Sequence, residues 1–200
     1  MKKAWFVLVA VGLVVGFGVS SASAKTYVSG NLGAVIVNDA DFNEGFDTGE
    51  FTFDTGFGLT GALGGSLGNN CRGEVEFGYK ANDIDKIAID GLGSVNVSGD
   101  VTTISLMGNA YYDFPVTGSF SPFILGGIGF ANVEADIDIA GSEDDSVFAY
   151  QLGLGGSLAL SPELNLDLQY RFFGTSDPEF DGVEVEYNTQ NLMVGLRYSF

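Results

Sequence analysis

The sequence predicts an all-β fold, an eight-stranded antiparallel up-and-down transmembrane β-barrel. Three observations predict it. Eight segments alternate apolar and polar residues, as strands with one greasy and one polar face do. Their connections are alternately long and acidic or short and neutral, which a barrel with its short turns at one rim produces and a soluble sandwich does not. After the first 24 residues no apolar run approaches the ~18–20 residues a spanning helix needs, so a span must be made of strands.

The chain begins Met1-Lys2-Lys3, is almost wholly apolar from Ala4 to Val19, and reaches small residues at Ala22-Ser23-Ala24. A basic start, an apolar stretch and an A-x-A site describe a secretory signal peptide over residues 1–24, cleaved after Ala24, with 25–200 as the barrel domain. No cysteine follows that site, so the signal is not of the lipoprotein kind. Cys71 is the single cysteine and forms no internal disulfide; it reads as a turn or buried thiol. Thirty glycines and 25 Phe and Tyr residues with four prolines suit many curved strands.

Strand one is expected over Tyr27–Val37, with Val28, Leu32, Ala34 and Ile36 on one parity. An acidic, turn-rich connection follows over Asn38–Glu50. Strand two runs Phe51–Leu67, with Phe57, Leu59 and Leu63 opposite Gly58, Thr60 and Ala62. After a short turn, strand three places Val75, Phe77 and Tyr79 opposite Arg72, Glu74, Glu76 and Lys80, an alternating-charge face within an otherwise apolar sheet. A second acidic connection spans Asn82–Asp100. Strand four, Val101–Phe114, sets Ile104, Leu106 and Tyr112 against Thr103, Ser105, Asn109, Tyr111 and Asp113. Strand five, Phe120–Val133, is apolar on both parities, so its pattern assigns no facing; Glu134–Ile139 continues it in clean alternation. A third acidic loop ends at Asp145, strand six runs Val147–Leu160, and strand seven, Leu164–Phe173, opposes Leu166, Leu168 and Tyr170 to Asp167, Gln169 and Arg171. After a fourth acidic connection, Gly174–Glu186, strand eight closes the chain with Leu192, Val194, Leu196, Tyr198 and Phe200 on its apolar face.

Formal charge is −18, and −20 without Lys2 and Lys3, which argues against nucleic acid as a partner. Of 26 acidic residues, 21 lie in the four long connections and their margins. The other five are Glu74, Glu76, Asp113, Glu163 and Asp167. An eight-stranded barrel is just wide enough to be filled by side chains, and unpaired charges there are costly. The expected interior network is Arg72, Glu74, Glu76, Asp167, Arg171 and Arg197.

Strand three (Arg72-Gly73-Glu74-Val75-Glu76-Phe77-Gly78-Tyr79), strand four (Met107 to Phe114) and strand five (Pro122 to Phe130) resemble the opacity-type outer-membrane barrels. More loosely, the chain is similar to the transmembrane domain of OmpA-like proteins, porin-like eight-stranded barrels. The last strand, with its aromatic end at Phe200, resembles the closing strand of such barrels, which the barrel-assembly machinery reads. The resemblance covers residues 25–200 and implies a Gram-negative outer-membrane location, periplasmic termini, extracellular loops, and a role in adhesion, host contact or envelope integrity. The chain stops at the barrel, so no C-terminal peptidoglycan-binding domain is expected.

The function expected is a non-enzymatic surface or structural one. The chain has no histidine, which removes the Ser-His arrangements that small lipid A hydrolases resemble. No catalytic residue and no cofactor is expected. A small low-conductance porin is one alternative. A periplasmic lipocalin-like ligand binder, with the two faces reversed, is another. Outer-membrane lipid and lipopolysaccharide are the expected surroundings. The acidic loops also offer oxygen ligands to divalent cations at Asp136-x-Asp138 and Glu143-Asp144-Asp145, without EF-hand spacing. Loop acidity does not favour adhesion to anionic glycans.

Overall fold

The computed structural model describes residues 25–37, 40–44, 47–53, 55–89, 93–137, 141–176, 179–180, 183–184 and 187–200. The signal peptide expected at 1–24 lies outside the described residues.

Twelve strand segments follow in chain order: β1 Thr26–Val37, β2 Ala40–Glu44, β3 Asp47–Phe53, β4 Gly56–Gly68, β5 Cys71–Ile89, β6 Gly93–Asp113, β7 Phe120–Ile137, β8 Gly141–Ala159, β9 Leu164–Thr175, β10 Glu179–Phe180, β11 Val183–Glu184 and β12 Asn188–Ser199. Eight of them close a ring. β1 pairs with β4 on one side and with β12 on the other, and β4, β5, β6, β7, β8, β9 and β12 complete the circuit, each antiparallel to its neighbours. The closing seam sets Val28 opposite Tyr198 and Leu32 opposite Val194. Closure leaves no wall strand with an unpaired edge, the condition for a sheet in lipid.

Three short turns share one rim. In the first, Asn69 and Asn70 both have positive φ, 52° and 63°. A two-residue hairpin loop of this twist requires φ > 0 at both positions, and asparagine tolerates it best after glycine. In the third, the Ser161 hydroxyl accepts from the backbone N–H of Glu163 and of Leu164, at 3.3 and 3.1 Å.

At the opposite rim the long connections are more ordered than the sequence suggests. The expected loop Asn82–Asp100 is mostly ladder: β5 and β6 stay paired as far as Ile89 opposite Gly93. β7 and β8 stay paired to Ile137 opposite Gly141. The stretch read as an acidic loop from Asn38 contains the β2–β3 hairpin, and β3 pairs with the far half of β5. The single strand expected over Phe51–Leu67 falls in two segments, β3 ending at Phe53 and β4 beginning at Gly56. Once two antiparallel strands leave the membrane their hydrogen bonds still need partners, and continuing the ladder supplies them. Acidic residues disguise that continuation, because strand propensity belongs to the pleated surface more than to the residue.

Facing settles the choice between a membrane barrel and a soluble one. Leu32, Ile128, Leu152 and Phe200 are 62%, 65%, 62% and 68% exposed on the outer wall, while Glu76 and Arg171 are each 2% exposed inside. The lipocalin-like alternative, apolar inside and polar outside, is therefore overturned. Exposed aromatics gather toward both ends of the belt: Tyr112, Phe114, Phe120, Tyr198 and Phe200 toward the short-turn rim, and Phe57, Phe130, Phe148 and Tyr150 further along the wall. Such girdles mark the two interfaces of a transmembrane barrel. Strand five, ambiguous in sequence, turns Phe123, Leu125, Ala131 and Val133 inward and Ile124, Ile128 and Phe130 outward. Its sector of the interior is itself apolar, which is why alternation is lost there.

Candidate functional site

The interior divides along the barrel axis. The short-turn half and the middle are polar and charged. All six residues of the expected network line this lumen, together with two others. Arg72, Lys80, Arg171 and Arg197 supply four cations; Glu74, Glu76, Asp113 and Asp167 supply four carboxylates.

They are organised as separate ion pairs. Arg171, from β9, directs Nη1 to both oxygens of Glu76 on β5, at 2.8 and 2.6 Å, and the two side chains are each 3% exposed. Its Nη2 donates to the Tyr111 hydroxyl and to Gln169 Oε1, both at 3.2 Å. Gln151 donates to Glu76 Oε1 at 3.1 Å and to Asn109 Oδ1 at 2.6 Å, tying β8 to β5 and β6. Gln169 donates to Asn31, and Asn31 to Thr60, so this polar layer crosses the lumen from β9 to β1 and β4. Nearer the short-turn rim Arg72 grips Asp113 with Nε and Nη2, at 2.7 and 2.8 Å. Arg197 holds Asp167 through Nε at 3.0 Å.

Glu74 stands outside these pairs. It accepts from the hydroxyls of Tyr27 and Tyr111, at 3.1 and 2.6 Å, and from Asn109 at 3.2 Å. Two further residues join the expected network. Asp113 is the partner of Arg72, because the register puts Arg72 opposite Tyr111 and brings the carboxylate two residues further on within reach. Lys80 also lies inside, its Nζ 3.1 Å from the centre of the Phe173 ring, a cation–π contact. The alternating face of strand three already contained Lys80; its aromatic partner lay on a strand whose position only closure reveals.

The lumen then becomes apolar toward the long-hairpin rim. Val37, Val101, Met107, Ala131, Val133, Val147, Ala149, Phe173 and Tyr187 form one buried cluster. Tyr187 precedes β12 and reaches back over the lumen, and Thr103 donates to its hydroxyl at 3.0 Å. Burial pushes that phenol up to about 12. The cluster is a stopper: buried apolar side chains fill the lumen, and the polar groups among them, Thr103 and Thr175, are bonded to Tyr187.

Beyond the stopper stand the acidic hairpins. Asn132 donates to Asp144 Oδ2 at 3.0 Å and to Ser146 Oγ at 3.2 Å, clipping β7 to β8 above the belt. Of the two cation sites read from sequence, Asp138 and the side chain of Glu143 lie outside the described residues; Asp136 and Asp144 are exposed. No group of three or more possible metal ligands occurs among the described residues.

Comparison with known proteins agrees with this architecture. The family described as outer membrane protein beta-barrel domain matches residues 8–200. The candidate adhesin RC1281 of Rickettsia conorii is 30% identical, covering 90% of this chain and 84% of its own length. The outer membrane protein PagN of Salmonella typhimurium is 25% identical over 99% of this chain and all of its own length. Among solved structures, the Neisserial surface protein A superposes with a TM-score of 0.58 at 18% identity, covering 89% of this chain and 99% of that one, a likeness of fold.

Proposed function

The chain belongs to the outer membrane β-barrel family, and from that premise we propose that it is an attachment protein: a plugged, rigid barrel that presents acidic β-hairpins at the bacterial surface. A non-enzymatic surface role agrees with its relatives, one of which is described as a candidate adhesin. The observation that carries the proposal is the contrast between the two parts of the molecule. The lumen is occupied by ion pairs and an apolar stopper, while the hairpins β5–β6, with one register shift between Ile84 and Lys86, and β7–β8 project as paired ladders past the lipid belt.

In this reading the short turns and both ends of the barrel domain face the periplasm, and the long hairpins face outward. The apolar strand β12, ending at Phe200, suits recognition by the barrel-assembly machinery. Outer-membrane lipid contacts the belt. Lipopolysaccharide surrounds the hairpin bases, and divalent cations between its phosphates and the exposed acids would lessen their mutual repulsion. Catalysis has no support in the lumen: the chain lacks histidine, and the Ser157 hydroxyl is bound to Asp167, itself held by Arg197. Conduction is opposed by the stopper.

The test is display in a non-adherent Gram-negative host, counting bacteria bound to cultured animal cells. A deletion variant shortens the β5–β6 hairpin by removing residues 85–96, with barrel closure checked by the mobility shift between boiled and unboiled samples. Binding that falls to the vector level in a shortened barrel that still shifts is the expected result. Full-length barrels that bind no better than the vector would refute attachment.

A further inference from the structure

At the short-turn rim a cavity of about 300 Å³ lies between the ends of the strands. Its lining includes Lys25, Tyr27, Arg72, Asp113, Arg197 and Ser199. Basic residues are scarce here, eight in a chain of net charge −18, yet three of them border this one cavity. Both arginines are held in place rather than consumed. Arg72 spends Nε and Nη2 on Asp113, and Arg197 spends Nε and Nη2 on Asp167 and Ser157. Arg72 also engages the Tyr27 side chain, and both arginines border the cavity. The two guanidinium carbons sit 5.7 and 5.4 Å from the centre of the same Tyr27 ring. Two like charges are thus fixed about one aromatic side chain, beside an exposed lysine that has no ion pair among the described residues.

We propose that this cavity binds a phosphate group, with Arg72, Arg197 and Lys25 as its cationic ligands. Guanidinium forks match phosphate oxygens in geometry and charge, and an ammonium adds a third donor. Arg72 is buried and both forks are preset by their carboxylate partners, so binding orders only Lys25. Asp113 is the internal competitor: it neutralises part of the positive charge and sets the affinity low. The phosphate can be free in solution or carried by a lipid headgroup at this rim.

The experiment uses the barrel, residues 25–200, refolded in a zwitterionic detergent. Calorimetric titration is made with inorganic phosphate, with a short-chain phosphatidic acid below its micellar concentration, and with sodium chloride at matched ionic strength. The expected result is saturable binding of phosphate and none of chloride. Lys25→Gln should weaken it at least fivefold, and Asp113→Asn should tighten it several-fold; both variants are checked for closure by gel mobility. Equal affinity for inorganic phosphate and phosphatidic acid assigns the site to free phosphate. Preference for phosphatidic acid that is lost in Lys25→Gln assigns it to a headgroup. Absence of saturable binding, or binding unmoved by both substitutions, would overturn the proposal.

Discussion

Replacing Arg171 by leucine tests whether the polar lumen is a set of obligatory ion pairs. In the native barrel the two oxygens of Glu76 face one guanidinium nitrogen at 2.8 and 2.6 Å, and neither side chain reaches water. Arg171→Leu leaves Glu76 with the neutral amides of Gln151 and Asn109 as side-chain partners and frees the Tyr111 hydroxyl and Gln169 of their shared partner. An uncompensated buried charge costs about 3–5 kcal/mol. At about 1.36 kcal/mol per decade, that lowers the folded-to-unfolded ratio by roughly two to four orders of magnitude. Glu76→Leu should cost a similar amount, because it strands the arginine instead. The double variant Glu76→Leu/Arg171→Leu removes both charges and keeps the lumen neutral, so it should cost less than either single change. The assay is reversible urea unfolding in lipid vesicles, followed by circular dichroism and by the shift in gel mobility. A single variant that loses less than about 1 kcal/mol, or a double variant that costs the sum of the two, would refute the pairing argument. The pairs should also rank by burial: Asp113, whose side chain is 26% exposed, should tolerate conversion to asparagine better than Asp167 at 8%.

Three further outcomes follow from the same geometry. Gly33→Ala places a methyl against the backbone carbonyl of Leu192 and should cost about 1–3 kcal/mol or prevent closure, whereas Gly61→Ala, with nothing within 4 Å on the lipid side, should lie within about 0.5 kcal/mol of wild type; urea midpoints distinguish them. Ile128→Arg puts a charge on the lipid face, where the native side chain is 65% exposed, and should cost about 2–4 kcal/mol in vesicles while leaving the detergent-solubilised barrel far less affected. The Tyr187 phenol is raised from 10 to about 12, so the unfolded chain ionises first and stability present below pH 10 declines as pH rises toward 12. Tyr187→Phe removes that contribution, and its unfolding midpoint should fall less steeply than wild type between pH 10 and 12; parallel curves would count against it.

The outer wall was legible because lipid imposes one rule on every strand. Period two, an aromatic at each end and alternating connection lengths are local patterns, and Leu192, Val194, Leu196, Tyr198 and Phe200 display them without any partner being known. The lumen was legible only in composition. That Arg72, Glu74 and Glu76 face inward follows from parity; that Arg72 meets Asp113 and Glu76 meets Arg171 follows from register and closure, which no single strand encodes. A one-residue slip would turn every pair outward, so the pairs and the turns together fix the register. Strand five shows the limit from the other side: an apolar interior sector erases the alternation that would reveal its facing.

The division of charge links the lumen to the hairpins. A chain of net charge −18 could not place that excess inside a narrow lumen, because each unmatched carboxylate there would cost several kcal/mol. Among the described residues four interior carboxylates are matched in number by four interior cations, three of them as ion pairs, and the surplus is carried almost entirely by the hairpins and their margins. Interior charge is therefore constrained by folding, while hairpin charge is free of that constraint. Lumen substitutions should first move stability, and hairpin substitutions should first move attachment. A hairpin-acid variant that lost attachment only in proportion to lost barrel stability would contradict this separation, and attachment counts normalised to the amount of heat-shiftable barrel at the surface measure it directly.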